Sequence, residues 1–484
     1  MPQFLVTLER KSGEPLQAWL RRAVVAAVAD GQLLSGDSME TSRGLARRLG
    51  IARNTVAAVY DDLIARGVLR SEARRGVFVA ERTAMSDCIW ADQPTNVDWP
   101  ARFRIKPTAQ RNIFRATDWQ SYPYPFVYGQ VDPTLFPLAD WRACSREALA
   151  RAAVNWWSAD RVTVDDPLLI EQLRRHILPT RGLQAQEDQI LITLGSQHAM
   201  YLLARLLMGA GTVVGVEDPG YPDMRNVAAL AGADVRLVPV DADGIVVGDE
   251  LAPADIAVVS PNNQSPTMVT MPQARRAALL GWARARDAII IEDDYERDLP
   301  VNGPATHALA ASDMGRVLYM GTFSKILAPG MRLGFLVGPA AVIAEARALR
   351  RLMVRNVPLN NQRTAALFIA EGHYDGLVRR LGAAIEERRS VLNAAVARHL
   401  PGFRPGPGRG GTCVLLECPP GTQGLALVEA ARQRGVIIER GDFFFSDPVR
   451  GAPFVRLGLS SISAERIDDG VARLALAMRD LAQG

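Results

Sequence analysis

The chain has 484 residues, 48% hydrophobic and 22% charged, a balance ordinary for a globular protein of roughly two to four domains. No apolar run approaches the ~18 residues of a membrane helix, and the first eleven residues lack the pattern of a secretory signal, so a cytoplasmic protein with no membrane partner is expected. The net charge is +4, yet residues 1–82 hold thirteen Lys/Arg against nine Asp/Glu while the remainder holds forty-three of each, so the whole excess sits in the first sixth of the chain. A basic head on a neutral body is what a nucleic-acid-binding protein shows. The four cysteines (Cys88, Cys144, Cys413, Cys418) are scattered, and Cys413 and Cys418 have no histidine nearby, so no metal site is expected.

Pro15 opens a helix in which Leu16, Trp19, Leu20, Ala23, Val24, Ala27 and Val28 recur at helical spacing, and Asp30-Gly31 ends it. Thr41 and Ser42 can cap a second helix with Leu45, Ala46 and Leu49, closed by Gly50. A third helix over about 52–65 buries Val56, Val59, Tyr60, Leu63 and Ile64, leaving Arg53 and Asn54 outward in its first turn. Two helices joined by a short glycine-containing turn, the second presenting polar residues at its start, form a helix-turn-helix. Residues 68–70 and 76–80 then predict a hairpin whose tip, 71–75, carries Arg74 and Arg75 toward a phosphate or the minor groove.

The stretch from Thr41 to Val56 closely resembles the winged helix-turn-helix of the GntR family. That resemblance makes Arg43, Arg53, Asn54, Thr55 and the wing around Gly76 the contacts to a double-stranded DNA operator. Family members usually carry serine where this chain has Ala52, so a helix cap is missing. Residues 83–122 predict a linker: they are rich in breakers (Pro94, Pro100, Pro107), and their aromatics alternate with Arg102, Arg104, Lys106, Arg111 and Arg115. They are too aromatic for a free tether, so part of their length is expected to pack on the body.

Within 123–484, apolar strands (189–193, 212–217, 235–240, 256–260, 288–292, 316–320, 333–337) alternate with helical runs such as 197–208 and 273–286. This predicts an α/β domain with a mostly parallel sheet, its ligands beyond the carboxyl ends of the strands. Four strings fall at such ends. Thr193-Leu194-Gly195-Ser196-Gln197 runs from strand into helix start, where amides and a hydroxyl can receive a phosphate. Glu217-Asp218-Pro219-Gly220-Tyr221 presents Tyr221, which can stack on a ring. Glu292-Asp293-Asp294-Tyr295 gathers three acids whose repulsion is costly without a cation; a pyridinium nitrogen or a metal could supply one, and a merely solvated acidic turn is the alternative. Gly321-Thr322-Phe323-Ser324-Lys325, continuing to Arg332, sets a lysine among hydroxyls beside an arginine, where its pKa can fall enough for Schiff-base chemistry.

Taken together these strings resemble the fold-type I aminotransferase-like domain of the MocR branch of the GntR family, and the match spans most of 123–484. The resemblance implies pyridoxal 5'-phosphate as cofactor, with Lys325 in Schiff-base linkage, Asp293 on the pyridine nitrogen, Tyr295 on the phenolic oxygen and Tyr221 on the ring. Gly195, Ser196, Gln197, Thr322, Ser324 and Arg332 would hold the phosphate, and Arg456 the carboxylate of a small amino-compound effector. It also implies a head-to-tail homodimer. Two segments depart from the family pattern: 261–268 (Pro-Asn-Asn-Gln-Ser-Pro-Thr-Met), which lacks the usual histidine, aromatic and final glycine, and the stretch around Asp165-Asp166-Pro167. The expected function is transcription regulation with the body as an amino-compound sensor. A regulator answering to the cofactor itself and a working aminotransferase are the alternatives.

Overall fold

The computed structural model describes residues 9–80, 97–299 and 306–483. Arg82, Cys88 and the early linker residues 83–96 lie outside the described residues. The chain divides into two compact units, Met1–Phe103 and Arg104–Gly484.

The first unit is built as its periodicity demands. Helix α1 (Leu16–Ala29) buries Leu20, Ala23, Val24 and Ala27, against Leu45 and Ala46 of α2 (Ser42–Leu49) and Val56, Val59, Tyr60 and Leu63 of α3 (Arg53–Ala65). Thr41 caps α2 by accepting the Gly44 N–H at 3.1 Å, and Gly50 ends it in the left-handed region at φ 67°. The antiparallel pair β1 (Leu69–Glu72) and β2 (Gly76–Val79) forms the wing. Its tip is shorter than the sequence suggests: Glu72 pairs with Gly76, which confines the turn to residues 73–75. A short helix α4 (Trp99–Arg102) follows, capped by Asp98.

Helix α3 has Ala52 at its N-cap and no side-chain cap bond. Ala52→Ser is therefore expected to stabilise this helix by about 1 kcal/mol. Amides of α3 that exchange through local opening should slow by about fivefold in hydrogen exchange.

In the second unit, β3 (Tyr124–Pro125) leads into α5 (Leu138–Ala148), α6 (Arg151–Trp157) and α7 (Pro167–Gln172). Asp166 caps α7 and pairs with Arg363 at 2.7 Å, while Asp165 accepts from Arg347 and Arg350, both at 2.6 Å. The departure from the family pattern at this point is thus a pair of structural anchors.

The central sheet has eight strands: β4 (Ile190–Thr193), β5 (Val213–Asp218), β6 (Asp234–Asp241), β7 (Gly244–Ile245), β8 (Ile256–Val259), β9 (Ile289–Asp293), β10 (Val317–Thr322) and β11 (Gly334–Val337). Their spatial order is 4-11-10-9-8-5-6-7, and only the pairings of β11 with its two neighbours and of β6 with β7 are antiparallel. Strands β4, β8, β10 and β11 are buried throughout, as a sheet covered on both faces requires. Ile190, Ile192, Val259, Ile290 and Phe335 face one core, and Leu191, Val258, Ile291 and Leu336 face the other, a strict period of two. Helices α8 (Ser196–Leu207), α9 (Pro222–Leu230), α10 (Gln273–Arg286) and α11 (Ala340–Val354) connect and cover these strands.

The C-terminal part adds a small antiparallel sheet of β12 (Arg404–Pro405), β13 (Cys413–Glu417), β15 (Glu439–Arg440) and β16 (Phe454–Gly458). Strand β14 (Val436–Ile437) instead pairs with β3, so the chain just after Tyr124 is held against the C-terminal part. Gly458 donates to the Phe126 carbonyl at 2.9 Å, and any Cβ on it would sit 2.4 Å from the Val127 carbonyl carbon. That close approach delivers Tyr128 and Gly129 to the carboxyl edge of the central sheet, where the candidate site lies.

Candidate cofactor and effector site

Strands β4, β5, β8, β9 and β10 run in one direction, so Gly195, Tyr221, Ser265, Asp293 and Lys325 all come from the loops or last residues at one edge. They surround a cavity of about 160 Å³ lined also by Ile113, Arg115, Tyr128, Gly129, Pro329 and Arg456. Ser196, Gln197, Thr322, Ser324, Arg332 and Tyr295 line it too; Gly195 stands just behind as the N-cap of α8. Every cofactor and effector residue expected from the sequence is thus brought to one place.

At one end, α8 begins at Ser196 with Gly195 at φ 81°. Arg332, itself at φ 48°, donates to the Leu194 carbonyl at 2.7 Å, and a Cβ on Gly195 would stand 3.1 Å from its Nη2. Thr322 Oγ1 accepts the Ser324 N–H at 3.2 Å and lies 3.0 Å from Ser324 Oγ. Helix-start amides, two hydroxyls and a guanidinium together make a site suited to a phosphate.

The three acids at the end of β9, Glu292 and Asp293 within it and Asp294 just past it, go to three destinations. Glu292 is fully buried and accepts the N–H groups of Leu309 at 2.9 Å and Ala310 at 3.0 Å. Burial, with Asp294 beside it, pushes its carboxyl well above the usual carboxylate range, against the two backbone N–H bonds and Arg276, which favour the charged form. Asp294 accepts from Asn262 and from Tyr319, each at 2.8 Å. Asp293 alone reaches the cavity, with Oδ1 buried and without a hydrogen-bond partner among the described residues. Burial and the charge of Asp294 raise it to about 7, restrained by Lys325 and the Ser196 hydroxyl. An N–H⁺ donor placed against that oxygen would remove the penalty. No metal is needed for the other two acids.

Lys325 is half-buried in the wall of the cavity and makes no ion pair among the described residues; its Nζ lies 4.1 Å from the centre of the Tyr128 ring. Burial pushes its amine down to about 8, opposed by Glu296 and reinforced by Arg115 and Arg456. An appreciable fraction is therefore a neutral nucleophile near neutral pH. Gly129, at φ 73°, is what leaves it room: a Cβ there would stand 2.5 Å from Nζ. Gly129→Ala is expected to displace the lysine and slow capture of added pyridoxal phosphate at least tenfold, read as the rate of the absorbance change.

Tyr221 lines the cavity and donates to Asp223 at 3.0 Å. The Tyr295 hydroxyl donates to the Asn263 carbonyl at 2.8 Å, so segment 261–268 occupies the hydrogen that the sequence reading assigns to a phenolic oxygen. Arg456 is buried but not free: its Nε donates to Glu439 at 2.9 Å, and Tyr128 and Phe444 flank it at 4.1 and 4.4 Å.

Sequence reasoning missed Arg115, Tyr128, Gly129 and Glu439. The half of the linker from Arg104 belongs to the body unit, and Arg111 is spent on Asp442 at 3.2 Å. In the first unit Arg43, Arg53, Asn54, Arg74, Arg75 and Gly76 are exposed and Thr55 half-buried. Arg75 pairs with Glu72 at 2.7 Å, while Arg43, Arg53 and Arg74 make no ion pair among the described residues.

A lysine and an orphaned aspartate at the carboxyl edge of such a sheet, with a phosphate cradle between strand and helix, define an aminotransferase-like body. The family model described as aminotransferase class I and II matches residues 162–474. The Pyrococcus horikoshii kynurenine aminotransferase, solved in complex with PMP, superposes with a TM-score of 0.70 at 25% identity, over 80% of this chain and 99% of its own. Over the full length, the HTH-type transcriptional regulator TauR of Rhodobacter capsulatus is 40% identical across 469 residues, 96% of each chain. The probable rhizopine catabolism regulatory protein MocR of Rhizobium meliloti is 28% identical across 476 residues, 96% of this chain and 94% of its own. The chain belongs to the MocR-type transcription regulators of the GntR family, which join a helix-turn-helix head to an aminotransferase-like body. No helix among the described residues is long and apolar enough to cross a membrane.

Proposed function

We propose that this regulator holds pyridoxal phosphate through Lys325 and changes its operator binding when a small amino compound enters the same cavity. The observation that carries the reading is a pair of groups facing one cavity beside the phosphate cradle: the half-buried Lys325 amine, which makes no ion pair among the described residues, and the buried Asp293 Oδ1, which has no hydrogen-bond partner among them. When bound, the cofactor supplies an electrophilic carbon for amines. Asp293 would receive its ring N–H, Tyr221 would pack on its ring, and the start of α8 with Thr322, Ser324 and Arg332 would take its phosphate. On the DNA side, Arg43, Arg53, Asn54, Thr55 and the wing residues Arg74, Arg75 and Gly76 are the contacts we assign. Two such heads in a head-to-tail dimer would suit paired half-sites.

The test is a titration of cofactor-loaded protein with primary amines, following cofactor absorbance and operator binding together. A compound that moves both, with no accumulation of keto acid, supports a sensor. Repeated release of keto acid would make the protein an aminotransferase carrying a head, and an operator response to pyridoxal phosphate alone would make it a cofactor sensor.

A further inference from the structure

A second guanidinium, that of Arg115, lines the cavity besides that of Arg456. Segment 110–115 crosses the edge of the cavity and is fastened on both sides: Gln110 donates to the Asn226 carbonyl and Asn226 to the Arg111 carbonyl, each at 3.0 Å. Arg111 Nη2 reaches the Asp442 carbonyl at 2.9 Å. From this segment Arg115 enters the cavity, and a methyl group built on Gly129 would lie 2.5 Å from Lys325 Nζ and 3.9 Å from Arg115 Nη2.

Arg115 and Arg456 converge on one buried carboxylate. Glu439 takes Arg456 on Oε2, whereas its Oε1 lies 3.5 Å from Arg115 Nε and has no hydrogen-bond partner. Arg456 Nη2, though 2.8 Å from Glu439 Oε2, makes no aligned hydrogen bond either. Two guanidinium groups thus share one carboxylate beside a half-buried lysine, and among the described residues donor capacity on both is unspent. The two differ in freedom: the Arg456 side chain is 1% exposed and wedged between rings, that of Arg115 is 39% exposed and only loosely paired. An anion entering the cavity would cost Arg115 little to leave Glu439.

We propose that Arg115 is the specificity-determining residue that selects amino compounds bearing an acidic group on a short chain, binding that group jointly with Arg456. The assignment rests on the sensor reading above. Because Arg115 lies at the end of the fastened segment, its capture by the ligand also alters the hydrogen bonds of residues 110–112, which lie near the start of the body unit.

The test uses full-length, cofactor-loaded protein, as wild type, Arg115→Ala and Arg115→Lys, titrated with β-alanine and 4-aminobutyrate and, as controls, n-propylamine and n-butylamine. Affinity is read from cofactor absorbance and the segment from hydrogen exchange. Arg115→Ala is expected to weaken both acids by about 10- to 100-fold, the worth of a hydrogen bond between charged groups, and the plain amines by less than about twofold. Arg115→Lys should fall between, and exchange in 110–116 should change with β-alanine and not with n-propylamine. Equal losses for acids and amines would reduce Arg115 to packing, and unchanged acid affinity would remove it from the site; either overturns the assignment while the sensor stands. A wild type that answers no amine sinks the sensor reading and this assignment with it.

Discussion

Replacing Lys325 with alanine should give a protein that folds, binds its operator and no longer retains pyridoxal phosphate through gel filtration. The amine is half-buried and makes no ion pair among the described residues, so its loss removes a desolvation cost and leaves the fold intact, while the covalent tether we assign to it is lost. The wild type makes a companion prediction. Burial brings the amine to about 8 from its ordinary 10.5, and only the neutral form attacks a carbonyl. The rate at which cofactor-free protein captures the cofactor should therefore rise with pH, about tenfold per unit below 8, and level off above it. A rate still climbing to pH 10 would show that the lysine is not desolvated in solution.

The largest effect on stability is expected outside the cavity lining, at Asp165. Its side chain is 2% exposed and holds Arg350, which is completely buried, and Arg347, which is partly so. Asp165→Ala would leave the Arg350 charge buried without a carboxylate, a loss of about 3–5 kcal/mol in equilibrium denaturation. Adding Arg350→Leu to that variant should restore part of the loss, because the stranded charge goes with it. If the double variant is no better than the single one, the pair is not what holds this corner.

The strands of the body were readable because they are buried on both faces and so appear as short, near-continuous apolar runs, from 189–193 to 333–337. Helix ends in the head were readable because Thr41 and Gly50 do there what their chemistry favours. The lysine loop and the helix start at Ser196 carried their own signatures. Arg115 did not, since a segment held by single side-chain bonds to backbone leaves no period to detect. Its only trace was an excess of arginines among aromatics, which reads equally well as a solvated linker. Glu439 was hidden for a related reason: its partner Arg456 is seventeen residues away, across an antiparallel pairing of β15 with β16 that apolar patterning does not specify. The division of Glu292, Asp293 and Asp294 follows from strand alternation. Glu292 faces the core of Ile290 and Leu309, and Asp293 faces that of Ile291 and Ala199, beside the start of α8.

The reversed strand β11 has a consequence for what the cavity can measure. The loop 323–333 leaves β10 with Lys325 and returns through Arg332 into β11, which lies against β4. Gly334 fits there without tolerance: a Cβ would stand 2.7 Å from Gly195 Cα and 2.7 Å from the Gly321 oxygen. Lysine and anion cradle are thus two jaws of one calliper, clamped at a glycine, and their spacing is a property of the sheet. A vitamin form shorter by its phosphate would meet the same reactive amine but span only one jaw.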